Sequence, residues 1–224
     1  MDLSKLKKLA IFTNKDLKLY YRLKYPEVYI CRNKTKIITI EKGKYTLNEN
    51  PFCYATQIIN PSYISFLSAL NFYEYSTQIP LKITVAIKKQ KKELSQIKFI
   101  KINTKYFFGY NKIKYGGFDL FIADKEKLLL DCVSYQNFVQ VNELTKLIKD
   151  NLDKEKIVTY LNRINNLNLI RRTGYLLELV GIDLYEHYTK INKINNYILL
   201  NKNLKKSKNY NHKWKLNINE EIYI

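Results

Sequence analysis

Only three of the 224 residues are cysteine, two are histidine and six are glycine, and each shortage excludes a class of chemistry. Cys31, Cys53 and Cys132 are odd in number and widely spaced. That excludes a disulfide framework and leaves buried or free thiols in a reducing compartment. His187 and His212 lie far apart with no cysteine pair beside them. They offer neither a zinc ligand set nor a partner to activate a thiol nucleophile. The glycines fall into no GxGxxG or Walker pattern, so no glycine loop cradles a phosphate, and no cofactor is expected. No apolar run approaches the ~18 residues of a membrane helix. The start, Met1-Asp2-Leu3-Ser4-Lys5, lacks the apolar core of a signal peptide. The expectation is a soluble, cytoplasmic chain with no membrane partner.

Acid is also scarce. Against 39 Lys and Arg stand 20 Asp and Glu, a formal net charge of +19. Such a field attracts nucleic acid or anionic surfaces. Only five of the basic residues are arginine, and Lys, Asn, Ile and Tyr are abundant together, as an AT-rich genome enforces. Part of the charge is therefore composition. The hydrophobic content of 46% is ordinary for a globular chain, and the length suffices for one domain or two small ones.

Leu3, Leu6, Leu9 and Ala10 recur at helical spacing. Thr13-Asn14-Lys15-Asp16 matches a capping box, which predicts a second helix from about Asn14 with Leu17, Tyr20 and Tyr21 inward. Pro26 fits the first turn of a third helix carrying Val28, Ile30 and Cys31 inward. The stretch Ile37–Leu47 then reads as a β-hairpin turning at Glu41-Lys42-Gly43, with Gly43 supplying a positive φ. Three helices followed by a two-stranded wing is the order of a winged helix-turn-helix. In that reading Arg32, Asn33, Lys34 and Lys36 at the end of the third helix make groove and phosphate contacts. Lys42 and Lys44 on the wing contact phosphate, and Gly43 has a backbone role.

Asn48-Glu49-Asn50-Pro51 reads as a linker. Beyond it the pattern predicts a helix from Pro61 through Leu70 and strands at 81–87, 97–102, 105–108 and 118–122. Asp124 should cap a helix through Cys132, and further helices are expected over 141–150, 153–165, 167–180 and 183–191. Short strands are expected near 197–200 and 214–218. The loop Lys88, Lys89, Lys91, Lys92 is basic, and Arg171-Arg172 are the only adjacent arginines. All six are candidates for a basic surface that binds acidic partners, or are simply a solvated loop and an exposed helix face. Asp119, Asp124, Glu126 and Asp131 form the one carboxylate cluster. Asp124 is readable as an N-cap and Lys127–Asp131 as an i,i+4 pair. The alternative is a divergent nuclease holding Mg²⁺ on Asp119, Asp124 and Asp131. A third reading is a protein-binding module whose winged helix no longer reads DNA.

Several segments, in order, resemble the AbiEi-type antitoxin and transcriptional-regulator family of type IV toxin–antitoxin, abortive-infection systems. They are "IEKGKYTL" (40–47), "INPSYISFLSALNFYEYSTQIP" (59–80), "ADKEKLLLDCV" (123–133), "LIRRTGYLLELVG" (169–181) and "KWKLNIN" (213–219). Thr173 stands where the family commonly has Leu. The resemblance implies an α+β chain, not an enzyme. It implies an N-terminal winged helix-turn-helix over 1–48 and a mixed α/β C-terminal antitoxin domain over 49–224. It further implies repression of the chain's own promoter through double-stranded DNA, and counteraction of a nucleotidyltransferase-like toxin as functional partner.

Overall fold

The computed structural model describes residues 4–22 and 36–224, a mixed α+β fold that divides into two compact units. The first comprises residues up to Ile64, Leu81–Ile102 and Asn111–Ile122; the second comprises Ser65–Pro80, Asn103–Tyr110 and Ala123–Ile224. Among the described residues no helix is long and apolar enough to cross a membrane.

In the first unit the capping box forms as its sequence predicts. The backbone N–H of Thr13 donates to Asp16 Oδ2 (2.6 Å) ahead of helix α1, Asn14–Tyr21. Leu17 is fully buried, whereas Tyr20 is exposed rather than inward. Of the helix expected around Leu3–Ala10, Leu3 lies outside the described residues and the rest is a 3₁₀ turn, Leu6–Lys8. The chain becomes extended at Leu9 because Phe12 pairs with the hairpin: Phe12 N donates to Tyr45 O and Tyr45 N to Phe12 O, both at 2.8 Å. The third helix expected from Pro26, with Val28, Ile30 and Cys31, lies outside the described residues.

The hairpin is present. Strands β1 (Ile38–Glu41) and β2 (Lys44–Thr46) pair antiparallel with a register shift between Thr39 and Glu41. Leu6, Phe12, Leu17 and Tyr45 form its core, and Thr46 Oγ1 donates to Ala10 O (2.7 Å). These contacts answer how so short a hairpin is supported, since two strands alone are marginal in water.

Strands β3 (Ser62–Ile64), β4 (Ile83–Ile87), β5 (Ile97–Lys101), β6 (Tyr110–Tyr115) and β7 (Phe118–Ala123) form a sheet of order β5-β4-β3-β7-β6. Strand β3 runs antiparallel to β4 and parallel to β7, and β4 runs parallel to β5. Every residue of β3 and β4 is buried. The helix expected from Pro61 is therefore corrected. Ser62–Ile64 is a strand held on both sides, and helix α2 begins only at Phe66 and runs to Phe72. A short buried apolar run does not declare its type by periodicity. The strand expected at 105–108 is likewise a 3₁₀ turn, Thr104–Tyr106, begun by the Asn103 side chain accepting from Lys105 N (2.9 Å).

The second unit is mainly helical. Helix α3 (Lys125–Ser134) is capped by Asp124, α4 is the single turn Thr145–Ile148, α5 is Lys154–Ile164 and α6 is Leu167–Glu178. The helix expected over 141–150 is thus a 3₁₀ stretch, Val141–Leu144, running into α4. The one expected over 183–191 is two 3₁₀ stretches. A small sheet of β8 (Ile198–Leu199), β9 (Tyr210–Asn211) and β10 (Leu216–Asn217) has the order β8-β10-β9. Cys53 and Cys132 are free and buried.

Candidate functional site

Three clusters carry the residues singled out by sequence. The first is the hairpin tip. Gly43 has φ +84° and no atom within 4 Å of where a Cβ would sit, so backbone conformation alone requires glycine there. Lys36 and Lys42 are exposed. Lys44 is not a free cation: its Nζ donates to Ile58 O (2.8 Å) and pairs with Glu41 (3.1 Å). Glu41 also takes Lys91 at 2.6 Å, and Lys91 lies 5.8 Å from the Phe99 ring centroid. Burial pushes the Glu41 carboxyl up, but the bonds from Lys91 and Lys44 outweigh it and the net shift is downward. The basic loop between β4 and β5 is thereby bonded to the hairpin within the first unit. It must travel back along the sheet because β4 and β5 are parallel, which leaves Lys88, Lys89 and Lys92 exposed. Arg32, Asn33 and Lys34 lie outside the described residues.

The second cluster sits where α3 begins and is built as an interior network. Asp124 Oδ1 accepts from Lys127 N (2.8 Å), and its Oδ2 accepts from Tyr160 OH (2.8 Å). Glu126 accepts from Asp153 N (3.1 Å) and Lys156 Nζ (2.7 Å). Lys127 pairs with Asp131, both with fully buried side chains, and Asp131 Oδ2 accepts from Ser65 Oγ (2.8 Å). Burial pushes the Lys127 ammonium down, and Asp131 opposes that pull. Tyr160 is pushed up to about 12 by burial and by its bond to Asp124. Each carboxylate oxygen of Asp124, Glu126 and Asp131 thus has a protein donor. Asp119 pairs instead with Lys112 and Lys114 at 2.8 and 2.6 Å in the first unit. Among the described residues no group of three or more potential ligands could hold a metal. The N-cap and the i,i+4 pair are as expected. Ser65, Lys156 and Tyr160 are additional members. Lys156 and Tyr160, four apart on one helix face, carried a local signal; Ser65 carried none.

The third cluster corrects a sequence expectation. Arg171 and Arg172 are not an exposed face; they are 1% and 5% exposed. Arg171 Nε donates to Trp214 O (2.9 Å), and Nη2 donates to Asn196 O (2.8 Å) and to Lys215 O. Arg172 Nε donates to Leu199 O (2.9 Å) and Leu200 O (3.2 Å). The pair fastens the small sheet to α6. Gly174 lies against the ring of buried Trp214, whose Nε1 donates to Glu178 Oε2 (2.6 Å). The reason is chemical: guanidinium is weakly hydrated and offers many donors, which suits it to collecting buried carbonyls.

No protein-family model matches the chain, and neither does any curated protein sequence. Among solved structures it is similar to the crystal structure of the RV2827C protein from Mycobacterium tuberculosis. The TM-score is 0.71 and the identity 14%, over 96% of this chain and 88% of that one. At that identity the likeness is one of fold.

Proposed function

We propose that this chain is a DNA-binding autorepressor and antitoxin of the AbiEi type. Residues 1–48 act as a winged helix-turn-helix, and the rest opposes a nucleotidyltransferase-like toxin. The observation that carries the DNA half is the hairpin tip. Lys42 projects from the Gly43 turn, Lys36 stands at the hairpin's entry, and Glu41 fastens the basic β4–β5 loop beside them through Lys91. Glu41 absorbs the charge of Lys44 and Lys91, so these two act as struts, while Lys36, Lys42, Lys89 and Lys92 present charge to solvent. Lysines of this kind fix a protein on phosphates without reading bases. Base reading is assigned to Arg32, Asn33 and Lys34.

The antitoxin half rests on the resemblance of the four later sequence blocks. The test of the DNA half is fluorescence anisotropy with a duplex from the gene's own upstream region against a scrambled duplex, at about 150 mM salt, where nonspecific binding is weak. A preference of about a hundredfold or more is expected; equal weak binding to both duplexes refutes the repressor. The antitoxin half is tested by co-expressing the full chain with an adjacent nucleotidyltransferase-like gene product. Growth should be restored, and unrelieved toxicity refutes it.

A further inference from the structure

We propose that the second unit carries a phosphoryl-anion site, separate from the DNA reading, in the cavity between the end of α3 and the start of α6. The cavity measures about 160 Å³ and is lined by Tyr106, Ser134, Asn166, Asn168, Arg172 and Lys202, among others. No carboxylate lines it. Arg172 is only 5% exposed, and among the described residues it is its Nε that meets protein acceptors. Among the described residues Nη1 and Nη2 have no acceptor. Lys202 stands at the rim and donates Nζ to Ser134 O (2.8 Å). The Ser134 hydroxyl is itself buried with no hydrogen-bond partner.

Two cations and a buried, unpartnered hydroxyl meet at one cavity with no acid to balance them, and an anion there supplies the missing acceptors. Burial first, and then neighbouring positive charge, pushes both ionised groups down: Arg172 to about 10 under the influence of Arg171, and Lys202 under that of Arg172. At the start of α6 the Asn166 side chain already accepts from the Asn168 and Leu169 amides (3.0 and 3.2 Å), so the donors left for the cavity are side chains. Guanidinium, ammonium and hydroxyl form a donor set for a tetrahedral oxyanion. The volume admits a phosphoryl group rather than a whole drug-sized ligand, so a nucleotide would enter by a terminal phosphate with the remainder outside.

The experiment titrates inorganic phosphate into the full-length ¹⁵N-labelled protein at constant ionic strength, following backbone amides and thermal midpoint. Saturable movement of the Asn168 and Leu169 amides is expected. Lys202→Glu, at an exposed rim, should weaken it about tenfold or more, the scale of one lost charge-assisted hydrogen bond. Ser134→Asp places a carboxylate beside Arg172; it should raise the midpoint in phosphate-free buffer and abolish the response. A non-saturating response, or one unchanged by Lys202→Glu, overturns the site. ATP and an oligonucleotide with and without a 5′-phosphate distinguish the source. Tighter, Lys202-dependent binding of a phosphorylated probe names a nucleotide or nucleic-acid end, and binding no tighter than inorganic phosphate names the free anion. Equal binding of the two oligonucleotides while phosphate itself gives no saturable response overturns the proposal. Lys42→Ala should leave all these responses intact, which separates the site from the hairpin.

Discussion

Replacing Gly174 by alanine tests the packing of the second unit most directly. At an exposed helix position the change would stabilise by about 1 kcal/mol, because glycine is the poorer helix former. Here the added Cβ would meet three ring carbons of Trp214, the farthest at 2.6 Å, against the roughly 3.5–4.0 Å of a comfortable carbon contact. Neither side can yield cheaply. Trp214 is fully buried, its indole N–H is held by Glu178, and its ring meets Tyr185 edge-on at 5.4 Å. The helix is held by the carbonyl bonds of Arg171 and Arg172. Overpacking of a rigid core costs about 1–3 kcal/mol, and contacts this short place it at the upper end, so after the propensity gain the net loss should be about 1–2 kcal/mol, a fall in melting temperature of roughly 2–8 °C for a chain of this size. Differential scanning calorimetry or urea denaturation reads it. The control is the same substitution in a Trp214→Ala background. Removing the ring costs about 3–5 kcal/mol by itself, and on that background Gly174→Ala should become neutral or favourable by about 1 kcal/mol. A Gly174→Ala protein as stable as the parent, or equally destabilised in both backgrounds, refutes the close approach.

Asp131→Asn leaves the fully buried Lys127 without its carboxylate and should cost about 3–5 kcal/mol by urea denaturation, while Lys127→Met with Asp131→Leu should recover most of that loss; a loss below about 1 kcal/mol means the pair holds nothing. Lys42→Ala should lower DNA affinity for all sequences and shallow the salt slope by about one, whereas Lys44→Ala should change it less because that ammonium is tied to Glu41 and Ile58; equal slopes for both variants would contradict the strut assignment. Asp150 is held at about 2 by hydrogen bonds from Lys125 and then Tyr75. The unfolded chain therefore binds the extra proton between roughly pH 4 and pH 2, so this stabilisation is complete above that window and disappears as pH falls through it. Asp150→Asn should flatten that part of the acid limb, and an unchanged limb would remove Asp150 from it.

What was legible in the sequence is local. Thr13 with Asp16, Gly43 in its turn, Asp124 as a cap and Lys127 four residues before Asp131 each place both partners within a few residues. The chemistry of the pair is then visible in the string. What was not legible depends on distant partners. Leu6–Ala10 has helical spacing, yet the chain straightens because Phe12 is claimed by Tyr45, over thirty residues on. Ser62–Ile64 has helical neighbours but is claimed by β4 and β7. Strand β6, with its polar sequence YNKIKY, offered no strong apolar signal. An adjacent arginine pair reads as surface, and only the carbonyls of residues 196–215 explain why it is buried. The missed members of the sites follow the same rule: Ser65 and Ser134 become notable only beside Asp131 and Arg172.

The sequence resemblance runs through blocks that also pack on one another. Two of its later blocks are packing partners: Arg171, Gly174 and Glu178 of one bind or abut Trp214 of the other. The remaining two are joined by Ser65 Oγ to Asp131 and by Tyr73 OH to Ala123 O at 2.9 Å. Substitution at any of these positions leaves a clash or a buried group without its partner, so these residues hold the second unit together. Among the described residues, charge is left for a partner at Lys42 on its glycine turn and at the two guanidinium nitrogens of Arg172 that no carbonyl claims. Weaker DNA binding in Lys42→Ala and a weaker phosphate response in Lys202→Glu, each with an unchanged melt, would separate those two charges from the scaffold that carries them.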